Sequence, residues 1–118
     1  MGKDLSVSVL LDFYGDLLTP KRKDALDLYY NQDLSLAEIA EHMDISRQGV
    51  RDFIKRGEKQ LFDFEGALGL VRRSRQAGSV IGRMSRALEQ MKALNSGADA
   101  GKCIGQIEAG LSELKDLI

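Results

Sequence analysis

Apolar residues recur about once per helical turn along most of this chain, and no alternating run is long enough for a sheet. Leu5, Val9, Leu10, Phe13, Leu17 and Leu18 predict a first helix over 5–18. Thr19-Pro20 then reads as an N-cap followed by a first helical position, where proline's missing N–H is no loss. The second helix carries Ala25, Leu26, Leu28, Tyr29 and Tyr30 and should fail near Asn31-Gln32-Asp33. Ser35-Leu36-Ala37-Glu38 is a capping box, and Leu34 and Ile39 flank it as a hydrophobic staple. A short helix from Leu36 to about Met43 follows. Asp44 breaks it, and Ser46 caps the next helix with Ile45 and Val50 in staple positions.

Two capped helix starts 11 residues apart enclose a two-turn helix and a tight turn, the pattern of a helix-turn-helix. Ile39, Ala40, Met43, Ile45, Val50 and Phe53 supply the contact between its two helices, and Ala40 is small where they approach. Beyond Ser46 the apolar pattern runs on through Ile54, Leu61, Phe64, Leu68 and Val71. A second run, Ala77, Ile81, Met84, Leu88 and Met91, is out of phase with it, which predicts a bend or break around Ala77–Ser79. Residues 95–101 read as a loop. Ile104, Ile107, Leu111, Leu114 and Ile118 form a narrow seam suited to a partner helix. The two seams can pair as an antiparallel hairpin. The stripe Leu61, Phe64, Leu68 and Val71 then has no evident intrachain cover, so a homodimer is expected, the rival being a monomer whose C-terminal hairpin folds back over that stripe.

Composition narrows the function. The 118 residues carry 17 basic and 18 acidic side chains, so a uniformly polyanion-binding surface is excluded. The balance is uneven. Residues 1–45 hold 4 basic and 9 acidic groups, 46–75 hold 8 and 4, and 76–118 hold 5 of each. The basic segment coincides with the second motif helix, whose outer face presents Arg47, Gln48, Arg51, Lys55 and Lys59, with Arg56 near its edge. Arginine and glutamine can read base edges in a major groove, and lysine and arginine neutralise phosphates. The Ser46 cap leaves N–H groups at the helix start where a phosphate could sit. These seven residues are the candidate nucleic-acid site. The same grammar also fits a structural or protein-binding domain. The acidic first 45 residues and Asp52 speak for that reading, and Gly49 is unusual near the start of a recognition helix.

The segment "LSLAEIAEHMDISRQGVR" (Leu34 to Arg51), continuing into "IKRGEKQL" (Ile54 to Leu61), resembles region 4 of bacterial sigma factors. Phe13 to Leu61 resembles more closely the small YlxM-like proteins, through "DLLTPKRKDALDLYY", "SLAEIAEHMDISRQGV" and "IKRGEKQL" in that order. The resemblance implies an all-α protein with a sigma-region-4-like helix-turn-helix and a regulatory link to the signal recognition particle. The expected architecture is a helix-turn-helix domain over 1–61 and a C-terminal helical extension over 62–118. The glycine usual in such a turn is Asp44 here.

No enzyme, cofactor or metal signature emerges. One histidine and one cysteine cannot supply a four-ligand His/Cys site or a disulfide. His42 reads as a surface or turn residue, and Cys103 as a free thiol at the start of the last helix. Glu38 is engaged in the capping box rather than in a dyad with Glu41. Tyr14, Tyr29 and Tyr30 read as core or rim. Met1-Gly2-Lys3-Asp4-Leu5-Ser6 fits an acylation pattern only formally. With neither a signal-like stretch nor a membrane-length apolar run, a cytoplasmic protein is expected.

Overall fold

The computed structural model describes residues 3–94 and 97–117. Every regular element within them is helical: α1 (Ser6–Tyr14), α2 (Pro20–Leu26), α3 (Leu36–Met43), α4 (Arg47–Leu68), α5 (Leu70–Leu94) and α6 (Ala98–Leu117). The all-α expectation is met. Contacts divide the chain into two compact units, residues 1–71 and 72–118.

In the first unit, α1 is shorter than its apolar pattern. It stops at Tyr14, and a single tighter turn, Gly15–Leu17, completes the segment. Leu5, Phe13 and Leu17, all in the predicted stripe, are exposed. Thr19 caps α2 through its hydroxyl, which accepts from the Arg22 N–H, and Pro20 occupies the first position. α2 widens into one π-type turn over Asp27–Asn31 and ends where expected, with Asp33 in the left-handed region.

The core forms on one face of α4. Val50, Ile54 and Leu61 are fully buried against Val7 and Tyr14 of α1, Leu26 of α2 and Ile39 of α3. These positions recur every three to four residues, so a single stripe receives all three shorter helices. Gly57 lies on the same stripe. A Cβ there would come within 2.6 Å of Leu26 Cδ1, so the missing side chain lets α2 approach α4 closely.

Three sequence expectations are corrected. First, Leu61, Phe64 and Val71 have intrachain cover. Leu61 and Val71 are buried in the first unit, and the Phe64 ring lies 5.9 Å from that of Tyr14. Only Leu68 of that stripe stays exposed, so the stripe no longer calls for a second copy. Second, the helix breaks at Gly69, which adopts φ 62, and not at Ala77–Ser79, which lie within an uninterrupted α5. The break has a polar clamp. Tyr14 donates its hydroxyl proton to Glu65 Oε1 (2.6 Å) and accepts from the Leu70 N–H (3.0 Å), while Glu65 also accepts from the Val71 N–H (3.0 Å). The clamp satisfies N–H groups that the start of α5 would otherwise leave open. Third, α6 begins at Ala98. That places Ala98–Gly101 in a helix rather than a loop, and Cys103 inside α6 rather than at its start. Asn95, Ser96 and Ile118 lie outside the described residues, as do Met1 and Gly2 of the acylation pattern.

In the second unit α5 and α6 run antiparallel. Lys92 of α5 pairs with Glu108 of α6 at 3.2 Å, and Leu88 and Leu111 border one cleft farther from the connection. Ile81, Leu88, Ile104 and Leu111 form the buried cluster. The alternate seam positions Met84, Met91, Ile107 and Leu114 stay about half exposed.

Gly57→Ala should lower stability by about 1–3 kcal/mol, because Leu26 is itself buried and cannot swing clear. Gly66→Ala, on the same helix with nothing within 4 Å, should raise it by about 0.5–1 kcal/mol. Paired urea melts of the two variants check the contrast.

Candidate nucleic-acid interface

The geometry of the motif is set by its two caps and the turn between them. Ser35 Oγ accepts from the Glu38 N–H (3.1 Å), and Glu38 accepts in return from the Ser35 N–H (3.1 Å). The hydrogen bonds that the Glu38 carboxylate accepts from Ser35, its backbone N–H first, hold it below its ordinary range. At the other end Asp44 adopts φ 55, ψ 48. Its N–H reaches Glu41 O (3.4 Å) and the Ile45 N–H reaches Ala40 O (3.1 Å). This is a Schellman closure with aspartate where glycine is usual. It turns Ile45 back onto the core and delivers Ser46, whose Oγ accepts from the Gly49 N–H (3.0 Å), to the head of α4.

Gly49 has a local explanation. A Cβ there would meet Ser46 Oγ at 3.2 Å and Ile45 Cδ1 at 3.6 Å, so the small residue makes room for the cap and staple of its own helix.

All seven sequence-predicted site residues are exposed: Ser46, Arg47, Gln48, Arg51, Lys55, Arg56 and Lys59. They do not form one patch. Gln48, Arg51, Lys55 and Lys59 follow the three- and four-residue spacing of a single face, opposite Val50, Ile54 and Leu61. Arg47 and Arg56 are nine residues apart, about half a turn out of phase, and flank that face on opposite sides. Arg56 borders a shallow depression with Gly49, Asp52 and Phe53.

Local pairing grades the face further. Gln48 donates to Asp52 (3.1 Å) and Lys59 pairs with Asp63 (2.8 Å), both along the helix. Arg47, Arg51, Lys55 and Arg56 have no ion-pair partner among the described residues. The cations open to an external anion therefore concentrate in the first three turns of α4. Phe62, 45% exposed, continues the same face; the sequence reading passed over it because its neighbours Leu61 and Phe64 carry the apolar period.

The other candidates are placed as follows. Tyr14 and Tyr29 are buried, and Tyr30 donates to Glu58, which anchors α2 to α4. His42 is exposed and borders a shallow cleft with Asp24 and Asp27. Cys103 is exposed. Among the described residues no helix is long and apolar enough to cross a membrane.

Asp44→Gly should stabilise the protein by up to about 1 kcal/mol, because relief of the strain at a left-handed non-glycine residue outweighs the added freedom of the unfolded chain. Asp44→Val should cost more than that, because a β-branched side chain tolerates this backbone poorly. Thermal melts of the two variants moving in the same direction would contradict the turn geometry.

Comparison with known proteins matches residues 1–99 to the UPF0122 family, described as "Putative helix-turn-helix protein, YlxM / p13 like". A UPF0122 protein of Acetivibrio thermocellus is 42% identical over 97% of each chain. One from a Thermoanaerobacter species is 39% identical over 93% of this chain and 94% of its own. One from Clostridium kluyveri is 56% identical over 60% of this chain and 64% of its own.

Proposed function

The chain belongs to the UPF0122 family, and from that premise we propose that it is a regulatory protein that binds duplex DNA through α3 and α4. The observation that carries the reading is the head of α4. A Ser46-capped helix start is followed by Arg47, Arg51 and Lys55, exposed and with no ion-pair partner among the described residues. In this reading α4 enters the major groove by its N-terminal turns. Gln48 and Arg51 face base edges, Lys55 and Lys59 meet phosphates, and Arg47 and Arg56 reach the two flanking strands. The first-turn N–H groups beside Ser46 hold a phosphate. The resemblance to sigma region 4 supports the same docking. The reading places the protein in the cytoplasm, with its target.

A second reading draws on the Gln48–Asp52 and Lys59–Asp63 pairs, which spend part of the polar face within the helix, and on the acidic first 45 residues. Here the motif docks on a protein or ribonucleoprotein, and the YlxM resemblance points to the signal recognition particle.

Arg51→Ala should weaken duplex binding by roughly 1–3 kcal/mol, the worth of a bidentate base contact, and Lys23→Ala by far less. Lys23 is already paired with Asp16 at 2.6 Å. Equal losses, or none, in anisotropy titrations at low salt would favour the second reading.

The DNA reading includes a homodimer, because paired half-sites need two recognition helices. With the α4 stripe covered, its surface falls to Met84, Met91, Ile107 and Leu114, half exposed on two helices that would complete a four-helix bundle with a copy. Sedimentation should give twice the chain mass of 13.0 kDa, reduced to the monomer by Met84→Glu with Leu114→Glu. A monomeric wild type would remove the dimer.

A further inference from the structure

Helix α5 carries a charge that the sequence segments hide. Between Leu70 and Leu94 it holds Arg72, Arg73, Arg75, Arg83, Arg86 and Lys92 against the single acid Glu89, six basic groups minus one, or net +5. The arginines are ordered. Arg72 and Arg83 are 11 residues apart, and so are Arg75 and Arg86. Eleven residues are close to three full helical turns, so both pairs return to the same side. The four lie within a sector of about 80°, with Gln76, Ser79 and Gln90 between or beside them. All four are exposed. The sector is opposite Ile81 and Leu88, the residues that α5 buries against Ile104 and Leu111. The other three charges of the helix face elsewhere: Arg73 lies about 100° round from Arg72, Lys92 pairs with Glu108, and Glu89 borders the cleft with Leu88 and Leu111.

We propose that this arginine face of α5 is a second nucleic-acid contact that grips the phosphate backbone of duplex DNA independently of base sequence. The choice of DNA as the polyanion rests on the proposed function of α3 and α4; the face itself does not. Three features favour a backbone over another anion. The array is linear and spans about 21 Å, enough to meet several phosphates of a strand that carries one per roughly 3.4 Å of helix axis. It uses guanidinium groups, whose planar fork matches two phosphate oxygens, where lysine would serve a diffuse field. The apolar side opposite it, which an interfacial membrane helix would insert, is engaged by α6 through Ile81 and Leu88, with Val80, Met84 and Met91 left about half exposed beside it. The residues between the arginines are polar and uncharged, so the face offers phosphate contacts and no apolar pocket for a folded protein partner.

The test is the salt dependence of binding by the full chain to a long mixed-sequence DNA duplex. The variants are Arg75→Ala/Arg83→Ala/Arg86→Ala, the same three changed to lysine, Lys102→Ala/Lys115→Ala as an α6 charge control, and Arg51→Ala/Lys55→Ala on α4. The alanine triple should stay folded, because its side chains point away from α6 and alanine favours a helix; circular dichroism checks this. It should lose roughly tenfold or more in affinity at low salt, and the slope of log K against log salt should shrink by about 2 to 3. The lysine triple should keep most of the slope but bind more weakly, and the α6 control should change little. An alanine triple with the wild-type slope overturns the α5 contact while leaving α4 standing. An alanine triple that loses binding while the α4 variant does not upholds the α5 contact and sinks the proposed function. A wild type that binds no duplex, or that prefers anionic phospholipid vesicles to it, overturns the inference.

Discussion

The first unit depends on one constraint, the burial of a single face of α4 beneath three helices too short to persist alone. α1, α2 and α3 have nine, seven and eight residues, below the length at which an isolated helix is stable in water. Each is held by the apolar area it buries on Val50, Ile54 and Leu61, and Gly57 lets α2 approach closely enough to seal the stripe. Because that face of α4 is committed inward, its opposite face is left to solvent. The position of Arg51 and Lys55 on the surface is thus a consequence of where Val50 and Ile54 are buried.

The same constraint governs where the helices stop. α4 cannot continue past Leu68 and still deliver Val71 to the core, so the chain reverses its backbone sense once, at Gly69. The Tyr14–Glu65 clamp makes this break tolerable by supplying acceptors to the N–H groups of Leu70 and Val71. At the other end, the left-handed Asp44 does the equivalent work between α3 and α4. A steric strain at one residue is accepted there because it brings Ile45 into the core and Ser46 to the cap.

Charge is organised by helices and not by stretches of sequence. Residues 76–118 sum to zero, yet the acids of that stretch lie mainly on α6 and its basic groups mainly on α5. Once the α5 boundaries are known, three arginines from the preceding segment join two from this one on the same helix. Among its described residues the second unit is then a thinly packed hairpin with four well-buried apolar side chains and one strongly basic helix.

Sequence alone determined what is local. The capping box at Ser35 and Glu38, the Thr19-Pro20 start, the Ser46 cap and the two-turn length of α3 are encoded within four to eight residues, because caps and helical periodicity depend on near neighbours. The exposure of Arg51 and Lys55 was legible for the same reason, as it follows from the period of Val50 and Ile54. What the tertiary structure decided is non-local. The out-of-phase apolar runs announced that a break existed, but its place at Gly69 depends on Tyr14, which reaches across more than fifty residues to Glu65 and Leu70. The cover over Leu61 and Val71 comes from residues far away in the chain, so the stripe looked unpartnered in one dimension. The gathering of Arg72, Arg75, Arg83 and Arg86 on one side required a helix unbroken from Leu70 to Leu94, where the apolar pattern predicts an interruption.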